Sequence, residues 1–215
     1  MKSITKASAL KEYYSENDWR TQPYTITYIE DADPDTWQAK TDKPDAWNDV
    51  RILWVPAEDK VVMSATATTE PGVKMVENPV VSDGAFRIQL DTLFKECWEI
   101  GRHITAHSNQ EALVQCDDIS GFRDFNKDFK RTGDKLYTGQ FGVNQHTTAD
   151  NAEGEAPIAV GGWSAGCLVG RYPPTHYNTF IPHCKGSGQK KFDTVVLDGT
   201  KFWNWLKVKG YSLLS

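Results

Sequence analysis

Cysteine is scarce in this chain and scattered: Cys97, Cys116, Cys167 and Cys184. Four thiols spread over 215 residues do not make the disulfide framework of a small secreted domain. Cys97 and Cys116 read as small buried hydrophobes. Long apolar runs are also missing. None approaches the ~20 residues that cross a bilayer, so no integral membrane segment is expected. The opening Met1-Lys2-Ser3-Ile4-Thr5-Lys6 lacks the apolar centre of a secretory signal. Synthesis is therefore expected to end in the cytoplasm, with export or lysis needed for any work outside. An excess of positive charge is absent too. A net charge of −5 argues against a general nucleic-acid binder. No repeat, low-complexity tract or interdomain linker breaks the chain. It reads as a helical extension over residues 1–20 followed by one domain over 21–215, expected to be monomeric.

Aromatic residues are plentiful instead, with eight Trp and eight Tyr. They suit either a β-rich core or the lining of a carbohydrate or peptide groove. Ser3 or Thr5 is placed to cap a helix over residues 3–17, with Ala7, Leu10, Tyr13 and Tyr14 on one face. Tyr24–Ile29 alternates as a strand. Val50–Val55 and Lys60–Ala67 read as a hairpin around Pro56 and Asp59. Pro71-Gly72 suits a type II turn. Gly84–Gln89, Ala112–Cys116 and Phe192–Leu197 are further strands. Leu93, Phe94, Cys97 and Trp98 have helical spacing, so Asp91–Ile100 reads as a helix stopped by Gly101. Thr200–Val208 reads as a short helix. Strands outnumber helices, which predicts a mainly-β sandwich or barrel-like sheet with one or two peripheral helices.

The chemistry concentrates between Gly139 and Arg171. An alternating run, Phe141-Gly142-Val143-Asn144-Gln145, delivers His146. A loop follows, and the chain returns through Gly161-Gly162-Trp163 to Ser164-Ala165-Gly166-Cys167. If the flanking strands pair, imidazole and thiol meet. A free thiol titrates near ~8.5, so it needs a neighbour to activate it. A thiolate–imidazolium pair between Cys167 and His146 is the expected form. The small residues beside Cys167 leave room for a carbonyl, and a tight glycine turn aims N–H groups at a developing oxyanion.

This stretch resembles the catalytic motif of L,D-transpeptidase (YkuD-type) domains, in which a His, a loop and Ser-x-Gly-Cys recur. It is most similar to a phage- and bacteria-associated branch reading Phe-Gly-x-Asn-x-His and then Gly-x-Trp-Ser-Ala-Gly-Cys. The likeness extends upstream through Thr69-Glu70-Pro71-Gly72, Ile100-Gly101-Arg102-His103 and Arg123-Asp124-Phe125-Asn126-Lys127-Asp128, covering residues 45–171. Two positions depart from the common pattern. Ala165 stands where many members carry His, and the Arg that often follows the Cys closely is replaced at a distance by Arg171.

The resemblance implies a β-sandwich and acyl transfer or hydrolysis on peptidoglycan stem peptides, with no cofactor. Cys167 is then the nucleophile and His146 the base. Gly166 and Cys167 supply oxyanion N–H groups, and Ser164 orients His146. Arg123, Arg171, Trp163 and His103 are the candidate substrate contacts, with a structural ion pair as the other role for Arg123. A different reading makes His103, His107 and Cys116 or another residue the ligands of a metal-dependent hydrolase. A third keeps the fold as a non-catalytic wall-binding or virion module. Asp124, Asn126 and Asp128 mimic the start of a calcium loop, but Phe129 and Lys135 stand where Gly and Glu are needed, so a turn is expected.

Overall fold

A computed structural model describes residues 1–214. In chain order the elements are β1 (Lys2–Ile4), α1 (Lys6–Glu16), β2 (Thr25–Ile29), β3 (Asp49–Val55), β4 (Lys60–Thr68), α2 (Val73–Glu77), β5 (Ala85–Ile88), β6 (Leu93–Ile104), β7 (Asn109–Gln115), β8 (Ile119–Asp124), β9 (Lys135–Gly139), β10 (Gln145–Thr147), β11 (Leu168–Gly170), α3 (Pro173–Thr175), α4 (Ile181–Gly186), β12 (Lys191–Leu197), α5 (Gly199–Val208) and β13 (Tyr211–Leu213). The fold is mainly β with few helices. Of the two sheet arrangements expected, the strands adopt the closed one. Eight form a barrel in the order β10-β11-β4-β3-β2-β12-β6-β7, and β5, β8 and β9 form a separate antiparallel sheet.

The central strands are buried on both faces, and their two-residue period separates two cores. From β2 and β3, Ile26, Tyr28 and Leu53 join the barrel core with Trp98, Leu113, Leu168 and Phe192. Their neighbours Ile29, Val50, Ile52 and Trp54 face outward onto α1 and α5. The N-terminal segment is therefore built into the fold. Thr5 caps α1 by accepting from Ser8 N–H at 3.0 Å. Ala7, Leu10, Tyr13 and Tyr14 are buried, and β1 pairs with β13 from the far end of the chain.

Two expectations are corrected. Asp91–Ile100 is not a helix but the start of β6. Opposite β12, Phe94 pairs with Thr194 and Trp98 with Phe192, so β6 bulges between them, with Glu96 at φ 57°. The bulge shifts the inward phase and gives Phe94, Cys97 and Trp98 a helix-like spacing. Gly72 does not complete a type II turn. Its φ is −69°, and it caps the short α2. The region around His183 and Cys184 is helical, in α4, and Cys184 is buried.

Candidate active site

The site stands on a parallel seam. β10 and β11 pair in parallel, with His146 opposite Val169 and Gln145 opposite Leu168. The intervening residues, 148–167, form the crossover. Cys167 is the residue before β11, so the seam delivers thiol and imidazole to the same end of the barrel. Arg51 braces it from inside. Its Nη2 donates to the His146 carbonyl at 2.6 Å and the Leu168 carbonyl at 3.1 Å, so one guanidinium fixes both strands. Its Nη1 donates to His176 Nδ1 at 3.1 Å, and His176 Nε2–H donates to the Glu111 carbonyl at 2.8 Å. Gly170 makes room for it, because a Cβ there would sit 2.8 Å from the guanidinium.

His146 is buried, and its proton is located by its partner. Nδ1 lies 2.8 Å from the Thr147 carbonyl, which only accepts, so Nδ1 carries the hydrogen. Nε2 is left with its lone pair and has no hydrogen-bond partner among the described residues. The ring stacks on His103 with centroids 4.0 Å apart and planes 6° from parallel. One ring nitrogen from each of these histidines and the Cys167 sulfur all lie within 4.8 Å of one another. Burial, then the neighbouring His103, hold the His146 imidazole well below its ordinary pKa. Burial lowers His103 as well, against the opposing pull of Asp150.

Cys167 is half-buried, and its surroundings push the thiol up to about 11, chiefly by desolvation. Its Sγ faces the Gly142 carbonyl at 3.6 Å. Burial therefore favours a neutral thiol beside a neutral imidazole. Against the expected thiolate–imidazolium form, it disfavours both charged states.

The Ser164–Cys167 turn also differs from expectation. Ser164 Oγ donates to the Cys167 carbonyl at 2.8 Å and accepts from Gly166 N–H at 3.1 Å. The Ser164 carbonyl accepts from Gly72 N–H at 3.0 Å. Ser164 thus shapes the turn and does not orient His146; the Thr147 carbonyl does. Gly166 N–H is engaged by Ser164, which leaves Cys167 N–H as the backbone donor free of protein acceptors among the described residues. Gly166 itself is required. Its φ is 126°, and a Cβ would lie 2.6 Å from the Phe86 carbonyl. Gly72 is equally confined, since a Cβ there would collide with the Gly161 carbonyl.

The candidate substrate residues divide. His103 and Trp163 line a groove of about 380 Å³ beside His146, together with His107, Ser108 and Gln110. Arg123 lies in a different depression of about 310 Å³ with Asp83 and Tyr137. Its guanidinium covers the Phe86 and Phe141 rings at 5.4 and 5.2 Å and donates to the Gly84 carbonyl at 3.2 Å, so it is held by aromatic faces and not by a carboxylate. Arg171 donates to the Pro157 carbonyl at 3.0 Å and packs over Tyr172, tying down the crossover.

His107 lines the groove but is outside the nitrogen–sulfur cluster. Cys116 sits beside Cys97 and Glu96 and is half-buried, not buried as expected. The His103–His107–Cys116 ligand set is therefore not assembled. The Asp124 carboxylate closes the expected turn, accepting from Asp128 and Phe129 N–H, both at 3.1 Å.

No family model matches this chain. No curated protein and no solved structure matches it either.

Several residues that build the site escaped sequence reasoning. Arg51 carried a signal, as a lone cation in the otherwise apolar core of β3. Asn144 shares a face with His146 by the strand period, and its Nδ2 donates to His103 Nδ1 at 3.0 Å while its Oδ1 accepts from Gln115 N–H at 3.0 Å. A buried ionic network also went unseen. Arg131 pairs with Glu30 at 2.5 Å, Arg87 pairs with Glu70, and Asp49 accepts from Thr69 N–H at 2.6 Å. Glu70 is structural here. Burial and the charges of Asp42, Glu30 and Glu70 push Asp31 up to about 8.

Proposed function

We propose that this protein is a cysteine acyltransferase or hydrolase of the L,D-transpeptidase type, acting on peptidoglycan stem peptides. The observation that carries the proposal is that His146, whose Nε2 is buried and unpartnered among the described residues, brings a ring nitrogen within 4.8 Å of the Cys167 sulfur. An orphaned acceptor in a low-dielectric pocket is costly to fold around. Its placement is explained if it receives the thiol proton. The peptide substrate and the wall rest on the motif resemblance.

The neutral resting state sets the order of events. As Cys167 Sγ bonds to the carbonyl carbon, His146 Nε2 takes the thiol proton, so charge arises only when the carbonyl is in place. The oxyanion is received by Cys167 N–H. His146 then returns the proton to the leaving amine, and a thioester remains. An amine acceptor gives a cross-link, and water gives cleavage. In both cases the acceptor's proton goes to Nε2, the thioester C–S bond breaks, and Nε2 returns the proton to the departing Cys167 sulfur. The groove along Trp163 and His103 receives the peptide. The protein acts on the wall after export or release at lysis.

Digestion of purified peptidoglycan by the intact protein and by Cys167→Ala, read by mass spectrometry, tests this. New cross-linked or trimmed stem peptides are expected from the intact protein alone. Identical products from both proteins, or no change with either, overturn the proposal.

A further inference from the structure

We infer that His103, His146 and Cys167 form a binding site for a borderline-soft divalent metal ion, Zn²⁺ in the first instance, and that the bound ion caps the thiol. Two imidazoles and one sulfur are a donor set that Zn²⁺ takes in tetrahedral sites. The three ligand atoms already lie within 4.8 Å of one another. Bond lengths of ~2.0–2.3 Å would place them ~3.3–3.8 Å apart. Because the two rings stack 6° from parallel, binding must swing the half-buried His103 ring out of the stack so that both in-plane lone pairs meet at the ion. The independent observation is His146 Nε2. It is buried, bare of any partner among the described residues and carries no proton, as ligation demands. The Thr147 carbonyl on Nδ1 is the outer hydrogen-bond acceptor that metal-bound histidines commonly have. The fourth position opens toward the groove by Trp163 and Gln110.

His103 needs a change of tautomer as well. Asn144 Nδ2 donates to its Nδ1, so the neutral ring carries hydrogen on Nε2. Ligation through Nε2 moves that hydrogen to Nδ1, and Asn144 must turn its oxygen to receive it. The turn breaks the bond between Asn144 Oδ1 and Gln115 N–H. Asn144 thus weakens the site without abolishing it. Asn144→Asp removes the conflict, because a carboxylate accepts from both Gln115 N–H and His103 Nδ1–H. The protons balance simply. His103 keeps its proton on the other nitrogen, the Cys167 S–H bond breaks, its proton passes to solvent, and the sulfur lone pair forms the Zn–S bond. One proton leaves per ion bound.

Binding does not depend on the acyl-transfer reading, whereas its consequence for turnover does. The test is calorimetric titration of the reduced, chelator-stripped protein with Zn²⁺ in two buffers of different ionisation enthalpy. Co²⁺ titration, followed by sulfur-to-metal absorption, and alkylation of Cys167 by iodoacetamide complete it. One ion per chain and one proton released are expected, with sulfur-to-cobalt absorption and alkylation slowed at least ~10-fold by Zn²⁺. Cys167→Ser and His103→Ala should each weaken binding by ~10-fold or more, and Asn144→Asp should strengthen it by ~10-fold. Circular dichroism confirms that each variant is folded. Absence of saturable binding, or binding and cobalt absorption that survive in Cys167→Ser, overturns the inference. If Zn²⁺ binds and protects the thiol while the stripped protein leaves peptidoglycan unchanged, the metal site stands and the acyl-transfer reading falls. If the stripped protein turns over and Zn²⁺ leaves that turnover untouched, the acyl-transfer reading stands and the capped thiol falls.

Discussion

The imidazoles of His103 and His146 lie face to face, 4.0 Å between centroids and 6° from parallel. Protonating either ring places a cation against its neighbour in a pocket that already excludes water. His146 is held well below the ordinary histidine range by burial first and by His103 second, and His103 is lowered by burial. His146 is expected to remain neutral, with hydrogen on Nδ1, well below pH ~6.5. Long-range nitrogen–proton NMR of the ring across an acid titration checks this. An imidazolium pattern for His146 near neutral pH would contradict the stacked, neutral arrangement.

Reactivity of Cys167 follows from its raised pKa of about 11. The thiolate fraction then climbs about tenfold per pH unit through the neutral range, with no acid-side plateau. Iodoacetamide rates on the folded, metal-free protein should rise steadily toward pH 11. Replacing His146 by Ala should abolish turnover but leave this alkylation profile rising in the same way. A plateau below neutral pH that vanishes in His146→Ala would instead mark a thiolate–imidazolium pair.

The Ser164–Cys167 turn separates stability from chemistry. Gly166→Ala forces a Cβ to 2.6 Å from the Phe86 carbonyl at φ 126°. A loss of ~2 kcal/mol or more is expected by urea denaturation, along with loss of activity. Ser164→Ala removes two hydrogen bonds and frees Gly166 N–H. It should cost ~1–3 kcal/mol and reduce turnover without abolishing it, unlike Cys167→Ala. Full activity in Ser164→Ala would show that the hydroxyl does not shape the turn.

Arg51 serves the seam from inside the barrel. Arg51→Leu leaves the carbonyls of His146 and Leu168 without their shared donor. A destabilisation of about 3 kcal/mol is expected in urea. Arg51→Lys should recover only part of it, because a point ammonium does not reproduce the fork. Equal stability of Arg51→Lys and the parent would refute the bracing role.

Asp31 is pushed up to about 8 in the folded state. An unfolded chain ionises this group near ~3.9, so it binds fewer protons than the folded chain across the interval between the two values. The folded-state penalty is absent below the lower value and grows as pH rises. It is complete above about 8. Asn fits the left-handed backbone at this position, φ 49°, and cannot ionise. Asp31→Asn should melt about 2–4 °C higher than the parent at pH ~8, with the gap closing toward acid. A gap that does not change with pH would place its origin elsewhere.

The sequence by itself determined whatever depends on neighbours along the chain. Two-residue alternation marked β2 and β3, Thr5 marked the cap of α1, and Pro56 with Asp59 marked the turn before β4. It also placed His146 and Cys167 at the two ends of one loop beside a turn of small residues.

What burial decides was not written locally. Phe94, Cys97 and Trp98 imitate a helix because a bulge, visible only against β12, resets the strand's phase. Cys116 looks as apolar as Cys97, yet only Cys97 ends inside the core. Ser164 Oγ is engaged within its own turn, by Gly166 N–H and the Cys167 carbonyl, and not by His146. The neutral state of the Cys167–His146 pair arises the same way. Residue types give a thiol and an imidazole, but their charge is set by the water excluded around them. That exclusion comes from β6, β7 and the crossover after β10, segments far apart in sequence that only the closed barrel brings together.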